Sequence, residues 1–282
     1  MRLFLLIFIL MLGCTQIGPP QTVSDGGDGP TTLPTVPEEG SPPVEESEAT
    51  EPAQPPTESH VLESEEITYA SLGWEIHGTL YESVNDEPTK VIMLLPMLGQ
   101  TRSSYPQDLI EDIHESVPDA MILAIDSRGH GESTNLGTWQ NFDMGQYKDM
   151  RNDVLSAKSY FASNHPTVKQ YYVVGASIGS TAAILAGAQD SNVVKIAMLS
   201  PGMEYKGVNI ERAVDDYQKK LLIVAASGDA YSANSAMEIN DISPSQKVLK
   251  IYGGSAHGTD LFAATEDDFE PLSDVLIDFL KW

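Results

Sequence analysis

Between Val91 and Tyr252 the sequence returns six times to a short apolar run: Val91–Leu95, Ala120–Ile125, Tyr171–Val174, Val194–Leu199, Leu221–Ala226 and Lys247–Tyr252. Runs this short and this uniformly apolar suit strands buried on both faces. A helix candidate follows each: Ser104–Glu115, Met144–Ala162, Ile178–Gln189, Asn209–Lys219, Ala233–Asn240 and Pro271–Leu280. Strands alternating with helices at this spacing predict an α/β domain, with a mostly parallel central sheet covered by helices on both faces. Two earlier segments, Ile67–Leu72 and Trp74–Glu82, read as strands paired in a hairpin around Gly73, for about eight strands in all.

The N-terminal part has a different texture. Met1-Arg2 followed by the apolar run Leu3–Leu12 has the layout of a signal peptide over residues 1–13, with a stretch too short to span a bilayer comfortably. Residues 14–62 are rich in Pro, Glu, Thr, Ser and Gly, carry almost no large apolar side chain, and predict a disordered, acidic, extended tether. The folded domain is expected over residues 63–282. The formal net charge of -25 argues against nucleic-acid binding and against acidic substrates, because a phosphate backbone needs clustered Lys and Arg. Part of that acidity belongs to the tail, since no Lys or Arg lies between Arg2 and Lys90. One cysteine, Cys14, supplies neither an intramolecular disulfide nor the thiol cluster of a structural zinc site. With no His-Glu-x-x-His sequence and no nucleotide or flavin fingerprint, no metal or cofactor is expected.

The chemistry concentrates in Gly175-Ala176-Ser177-Ile178-Gly179. Gly-x-Ser-x-Gly is a weak pattern by itself. Here it follows the apolar strand Tyr171–Val174 and opens the small-residue helix Ile178-Gly179-Ser180-Thr181-Ala182-Ala183, the strand–turn–helix setting of a nucleophile elbow. Gly175 and Gly179 clear space in which side chains would meet the neighbouring strand and helix. In this setting the chain resembles the α/β-hydrolase superfamily from about Ile67 to Trp282, in its uncapped, esterase-like and dienelactone-hydrolase-like branches. Asp126-Ser127-Arg128-Gly129-His130-Gly131-Glu132-Ser133 is similar to a structural turn of many of these enzymes, with Asp126 and Arg128 holding the loop and His130 a loop residue. The stretch Leu10-Met11-Leu12-Gly13-Cys14 likewise resembles the lipobox of prokaryotic lipoproteins, which implies lipidation of Cys14, export, and a catalytic domain held at the membrane outside the cytoplasm. An uncleaved N-terminal anchor gives nearly the same topology.

A serine hydroxyl needs a base, and the base needs an acid to orient it. The superfamily implies the chain order Ser, acid, His. His257 is the one histidine downstream of Ser177 and lies in the loop after the last strand candidate. Asp229, in Ser227-Gly228-Asp229-Ala230 after Leu221–Ala226, is the expected acid; Asp215, Asp216, Glu238 and Asp241 compete less well by position. The oxyanion donors implied are the backbone N–H of Ile178 and that of Leu98 in Pro96-Met97-Leu98-Gly99, with Met97 the alternative to Leu98. Only Ser200–Lys220 is available for a cap, mostly as one helix, so no substantial lid is expected, and Met97, Met203, Tyr205 and Tyr231 are candidate pocket residues. The implied activity is hydrolysis of a small-molecule ester through an acyl-enzyme on Ser177. A serine aminopeptidase-like peptidase, a thioesterase and a non-catalytic binding lipoprotein of the same fold are the alternatives.

Overall fold

The computed structural model describes residues 62–282. The expectations for a signal peptide, for lipidation of Cys14 and for the tether fall on residues 1–61 and lie outside the described residues. The elements run β1 (Ser64–Ser71), β2 (Trp74–Tyr81), β3 (Lys90–Leu95), α1 (Gln107–Ser116), β4 (Ala120–Ile125), α2 (Met144–Asp149), α3 (Arg151–Asn164), β5 (Gln170–Ala176) and α4 (Ile178–Gly187). They continue with β6 (Val193–Leu199), β7 (Glu204–Tyr205), β8 (Val208–Asn209), α5 (Glu211–Asp216), β9 (Lys220–Ala226), α6 (Ala230–Ile242), β10 (Gln246–Tyr252), α7 (Asp260–Ala264) and α8 (Leu272–Lys281). Eight strands form one sheet in the order β1-β2-β4-β3-β5-β6-β9-β10. The first two are antiparallel, and everything from β4 onward is parallel.

The sheet separates two apolar layers, and alternation along each strand decides which layer a side chain joins. Val91, Met93 and Leu95 of β3 pack with residues of α2 to α6, such as Phe161, Ile184, Val214 and Ile239. Ile92 and Leu94 of the same strand face the other way, onto Leu109 and Ile113 of α1 and Leu276 and Leu280 of α8. Helix α4 is buried along its whole length, which explains its small, apolar sequence.

Two expected helices come out differently. The Met144–Ala162 candidate is two helices, because at Met150 the ladder passes through tighter i→i+3 bonds, Met150 N–H to Tyr147 O and Asp153 N–H to Met150 O. The Asn209–Lys219 candidate is only Glu211–Asp216, preceded by a hairpin. Lys206 and Gly207, at φ 54° and 79°, form its two-residue turn, a geometry that matches the twist of paired strands.

Lys195 of β6 is 5% exposed and donates to the carbonyls of Phe279 (3.2 Å) and Leu280 (2.5 Å) at the end of α8, above the Tyr172 ring. Desolvation, followed by the charges of Lys220 and Lys90, pushes its pKa down to about 8, with Asp119 acting in the opposite direction. An unfolded lysine titrates near ~10.4. Between these values the unfolded chain binds more protons, so this group makes stability rise as pH increases from about 8 towards ~10. The Lys195→Met variant is expected to lose that rise. Urea midpoints at pH 7 and pH 9 measure it, and an undiminished rise in the variant would refute the assignment.

Candidate active site

Ser177 occupies the turn between β5 and α4 at φ 52° and ψ −115°, outside the conformations a side-chain-bearing residue normally adopts. The strain is imposed by packing. A Cβ on Gly175 would come within 2.3 Å of the Gly179 carbonyl oxygen, and one on Gly179 within 2.7 Å of Leu95 O and 2.8 Å of Pro96 O. The two glycines therefore let the strand, the helix and the loop after β3 close around the serine. Ile178 is the first residue of α4, so its N–H has no carbonyl a turn earlier to bond and stands free for an anion at a helix N-terminus.

Parallel pairing brings the rest to the same edge. β5 ends beside β6, β6 beside β9, and β9 beside β10, with Ala176 opposite Leu199, Leu199 opposite Val224, and Ala226 opposite Tyr252. The ladder continues into the loops through Ser177 N–H to Leu199 O, Ser200 N–H to Val224 O and Ser227 N–H to Tyr252 O. Asp229 and His257 leave the last two of these strands, and His257 Nδ1 meets Asp229 Oδ2 at 2.6 Å. Burial acts to raise the Asp229 pKa, but hydrogen bonds from His257 and Ser232 outweigh it and hold the carboxyl below its ordinary value. The His257 loop is pinned towards Ser177: Gly258 N–H donates to Ser200 Oγ at 2.9 Å, and a Cβ on Gly258 would lie 3.5 Å from that of Ala176.

The competing carboxylates are elsewhere. Asp215 and Asp216 are exposed on α5, and Glu238 and Asp241 are exposed on α6. A cleft of about 340 Å³ lined by Leu222, Val248, Phe279 and Trp282 contains none of the residues gathered at the strand ends.

The loop after β3 turns at Met97–Gln100, closed by Gln100 N–H to Met97 O, with Gly99 at φ 80°. Met97 and Leu98 are half-buried. Trp139 lies against this turn, its ring 3.3 Å from where a Cβ on Gly99 would be, and stacks on His130. His130 is buried, its Nδ1 donates to Arg128 O at 3.0 Å, and burial pushes its pKa down, so the ring packs in the neutral form. Asp126 accepts the Arg102 backbone N–H (2.8 Å), the Arg102 guanidinium (2.5 Å) and Glu132 N–H (3.0 Å). Arg128 reaches Asp153 of α3 and Ser71 of β1.

Of the candidate pocket residues, Met203 is buried in the core beneath the β7–β8 hairpin, with its N–H on Ser235 Oγ. Tyr231 is exposed and clamps the hairpin, its hydroxyl donating to Glu204 O and accepting from Glu204 N–H. Tyr205 is half-buried and packs edge-on against Tyr231 and His257. Sequence reasoning missed Ser200, Ser232 and Trp139. Ser200 had a signal in its position directly after β6, and Ser232 in its place three residues after Asp229, on the same helical face. Nothing local marks Trp139.

The sequence pattern of the hydrolase family described as serine aminopeptidase, S33, matches residues 86–210, a span that holds the elbow but ends before Asp229 and His257. No curated protein matches the chain. Among solved structures, an esterase from Pyrococcus furiosus is similar at 16% identity and a TM-score of 0.61, covering 78% of this chain and 92% of its own. A thermostable carboxyl esterase from Bacillus coagulans is similar at 13% identity and 0.62, covering 77% and 97%. A dienelactone hydrolase from Anabaena variabilis is similar at 14% identity and 0.58, covering 78% and 98%. At these identities the likeness establishes the fold, which is that of the α/β hydrolases.

Proposed function

We propose that the domain is a serine hydrolase of carboxylic esters that works through an acyl-enzyme on Ser177. The observation that carries this reading is the strained Ser177 on a strand–helix turn, with the hydrogen-bonded Asp229–His257 pair delivered by neighbouring strand ends. Asp229 accepts from Nδ1–H and so fixes the tautomer that leaves Nε2 free as a base. His257 takes the Ser177 proton as Oγ attacks the ester carbonyl. The N–H groups of Ile178 and Leu98 receive the oxyanion, with Met97 the alternative to Leu98. His257 then returns the proton to the leaving alcohol, and a water activated by the same ring releases the acid and restores the serine.

A peptidase is the second reading, favoured by the serine aminopeptidase description of the family whose pattern matches residues 86–210. The same groups cleave amides or thioesters. Against an amide substrate speaks the site's construction, in which a short hairpin and a six-residue helix stand where a cap would enclose a peptide. A panel of p-nitrophenyl esters and aminoacyl anilides, assayed on the full chain, separates the two. Ester turnover well above anilide turnover is expected, and the reverse order would transfer the assignment to a peptidase. The lipobox-like stretch ending at Cys14 supports export and a lipid anchor, with catalysis outside the cytoplasm. Detergent-phase partitioning of the full chain against Cys14→Ala tests the anchor.

A further inference from the structure

The central sheet ends differently on its two sides. At one edge, β1 leaves Glu65, Glu66 and Thr68 exposed, and charge of this kind blunts a strand edge against further pairing. At the other edge, β10 leaves Val248 and Ile251 40% and 38% exposed. Its two lysines do not guard it. Lys250 is ion-paired with Glu270, and the Lys247 ammonium folds back onto Ser243 O at 2.5 Å. Val248 also lines the cleft that reaches Phe279 and Trp282, where the Trp282 side chain is 43% exposed. Phe269, next to Glu270, is wholly exposed. Four of the eleven large apolar side chains exposed among the described residues therefore gather on or beside this one strand.

The ladder fixes which backbone groups of β10 have no strand to bond. In a parallel pair, alternate residues give both N–H and C=O to the neighbouring strand, and the residues between turn both away. Gln246 N–H donates to Lys219 O and Tyr252 O accepts from Ser227 N–H, so Gln246, Val248, Lys250 and Tyr252 bond towards β9. Lys247, Leu249 and Ile251 turn theirs to the open edge, where no described strand pairs with them.

A two-fold axis normal to the sheet makes such an edge complementary to itself. The axis keeps each face of the sheet on its own side, so it passes through a residue and not between two. Centred on Leu249, antiparallel pairing sets Lys247 opposite the Ile251 of a second copy and Leu249 opposite itself, and every outward N–H meets an outward C=O. The same register sets Lys250 opposite Val248. A centre on Lys247 or Lys250 would oppose two lysines, and a centre on Val248 would leave Ile251 opposite Ser245, beyond the strand.

We propose that the domain forms a two-fold dimer through β10, with Leu249 on the axis, so that two eight-stranded sheets become one. Each lysine of the strand then lies beside an aliphatic side chain of the other copy and none beside a lysine, while Val248 and Ile251 leave water. The antiparallel join sends the two Ser177 edges in opposite directions, so neither copy closes the site of the other.

Sedimentation equilibrium of the full chain in density-matched detergent measures the dimer Kd. A dimer is expected, and a chain monomeric at every concentration would overturn the proposal. Ile251→Lys opposes a lysine to Lys247 twice across the axis, and Ile251→Glu opposes a carboxylate to it. Both variants lose the same apolar contact and share the same N-terminal segment, so the difference between them reports on this register alone. The Lys variant is expected to dimerise about tenfold more weakly than the Glu variant. The comparison is made at physiological salt, where charges more than about 8 Å apart are largely screened. Equal Kd values, or the reverse order, would overturn the register. Hydrogen exchange of the wild type needs no substitution. On dilution below Kd, the N–H groups of Lys247, Leu249 and Ile251 should lose protection while those of Val248 and Lys250 keep theirs. A dimer in which those three amides exchange equally fast at all concentrations is held elsewhere, and that result too would refute the β10 interface.

Discussion

Replacing Ser177 by Ala is expected to lower ester turnover by about 10⁶-fold, the scale seen when a triad nucleophile is removed and only binding and oxyanion contacts remain. The reasoning is structural as well as chemical. No second hydroxyl is set on the strained turn that Gly175 and Gly179 create, and Ser180, the next serine along, is fully buried with its hydroxyl on Ser177 O at 2.6 Å. The variant keeps the backbone strain at φ 52° and loses only an oxygen, so its Tm should stay within about 2 °C of the wild type, under 1 kcal/mol for a domain of this size. Fluorophosphonate should label the wild type and leave the variant untouched. Asp229→Asn should fall by about 10⁴-fold, because an amide at the position 2.6 Å from Nδ1 favours the wrong imidazole tautomer. A Ser177→Ala variant retaining a tenth of wild-type turnover, beyond any wild-type carry-over, would end the assignment of the nucleophile.

The largest expected effect on stability lies outside the candidate active site. Arg128 and Asp153 have side chains 3% and 1% exposed. Arg128 Nε and Nη2 both donate to Asp153 Oδ1, at 2.9 and 2.8 Å, and the Arg128 backbone N–H donates to Oδ2 at 3.0 Å. Ser71 Oγ takes a further guanidinium hydrogen at 2.9 Å, and Tyr69 caps the Asp153 carbonyl at 2.7 Å. This pair joins the turn after β4 to α3 and to the β1–β2 hairpin. Asp153→Ala leaves a buried guanidinium without its carboxylate, which typically costs about 3–5 kcal/mol. For a domain of this size that corresponds to a fall of roughly 6–20 °C in Tm. Replacing both partners together, Arg128→Met with Asp153→Leu, should restore much of the loss, because two apolar groups carry no charge to desolvate. Thermal unfolding measures both. A single variant within about 1 kcal/mol of wild type would show that the buried pair is not what ties these elements together.

Much of the sheet was legible because its strands are buried on both faces. A run such as Val91–Leu95 has no polar side to hide, and all eight expected strands occur within two or three residues of their sequence limits. The helices were less legible where packing overrides pattern. Nothing in Gly145-Gln146-Tyr147-Lys148 announces the tightening at Met150, and the hairpin turning at Lys206-Gly207 went unread just ahead of the Asn209–Lys219 helix candidate, whose first residue its second strand takes. The arrangement of Ser177, Asp229 and His257 was readable from chain order combined with the parallel sheet, since a parallel strand order sends successive loops to one edge.

The sequence by itself determined the alternation of strand and helix, the glycine-flanked elbow, and which serine, acid and histidine come forward at strand ends. Those features are local in the chain or follow from strand order, so periodicity and spacing carry them. Only the tertiary structure decided that Arg128 is buried against Asp153, 25 residues away, and that the Tyr205 hydroxyl meets that of Ser232, 27 residues away. A hydrogen bond depends on angstrom-level placement of two groups, and that placement is fixed by the sum of strand register, helix packing and backbone strain over the whole domain, which no window of the sequence contains.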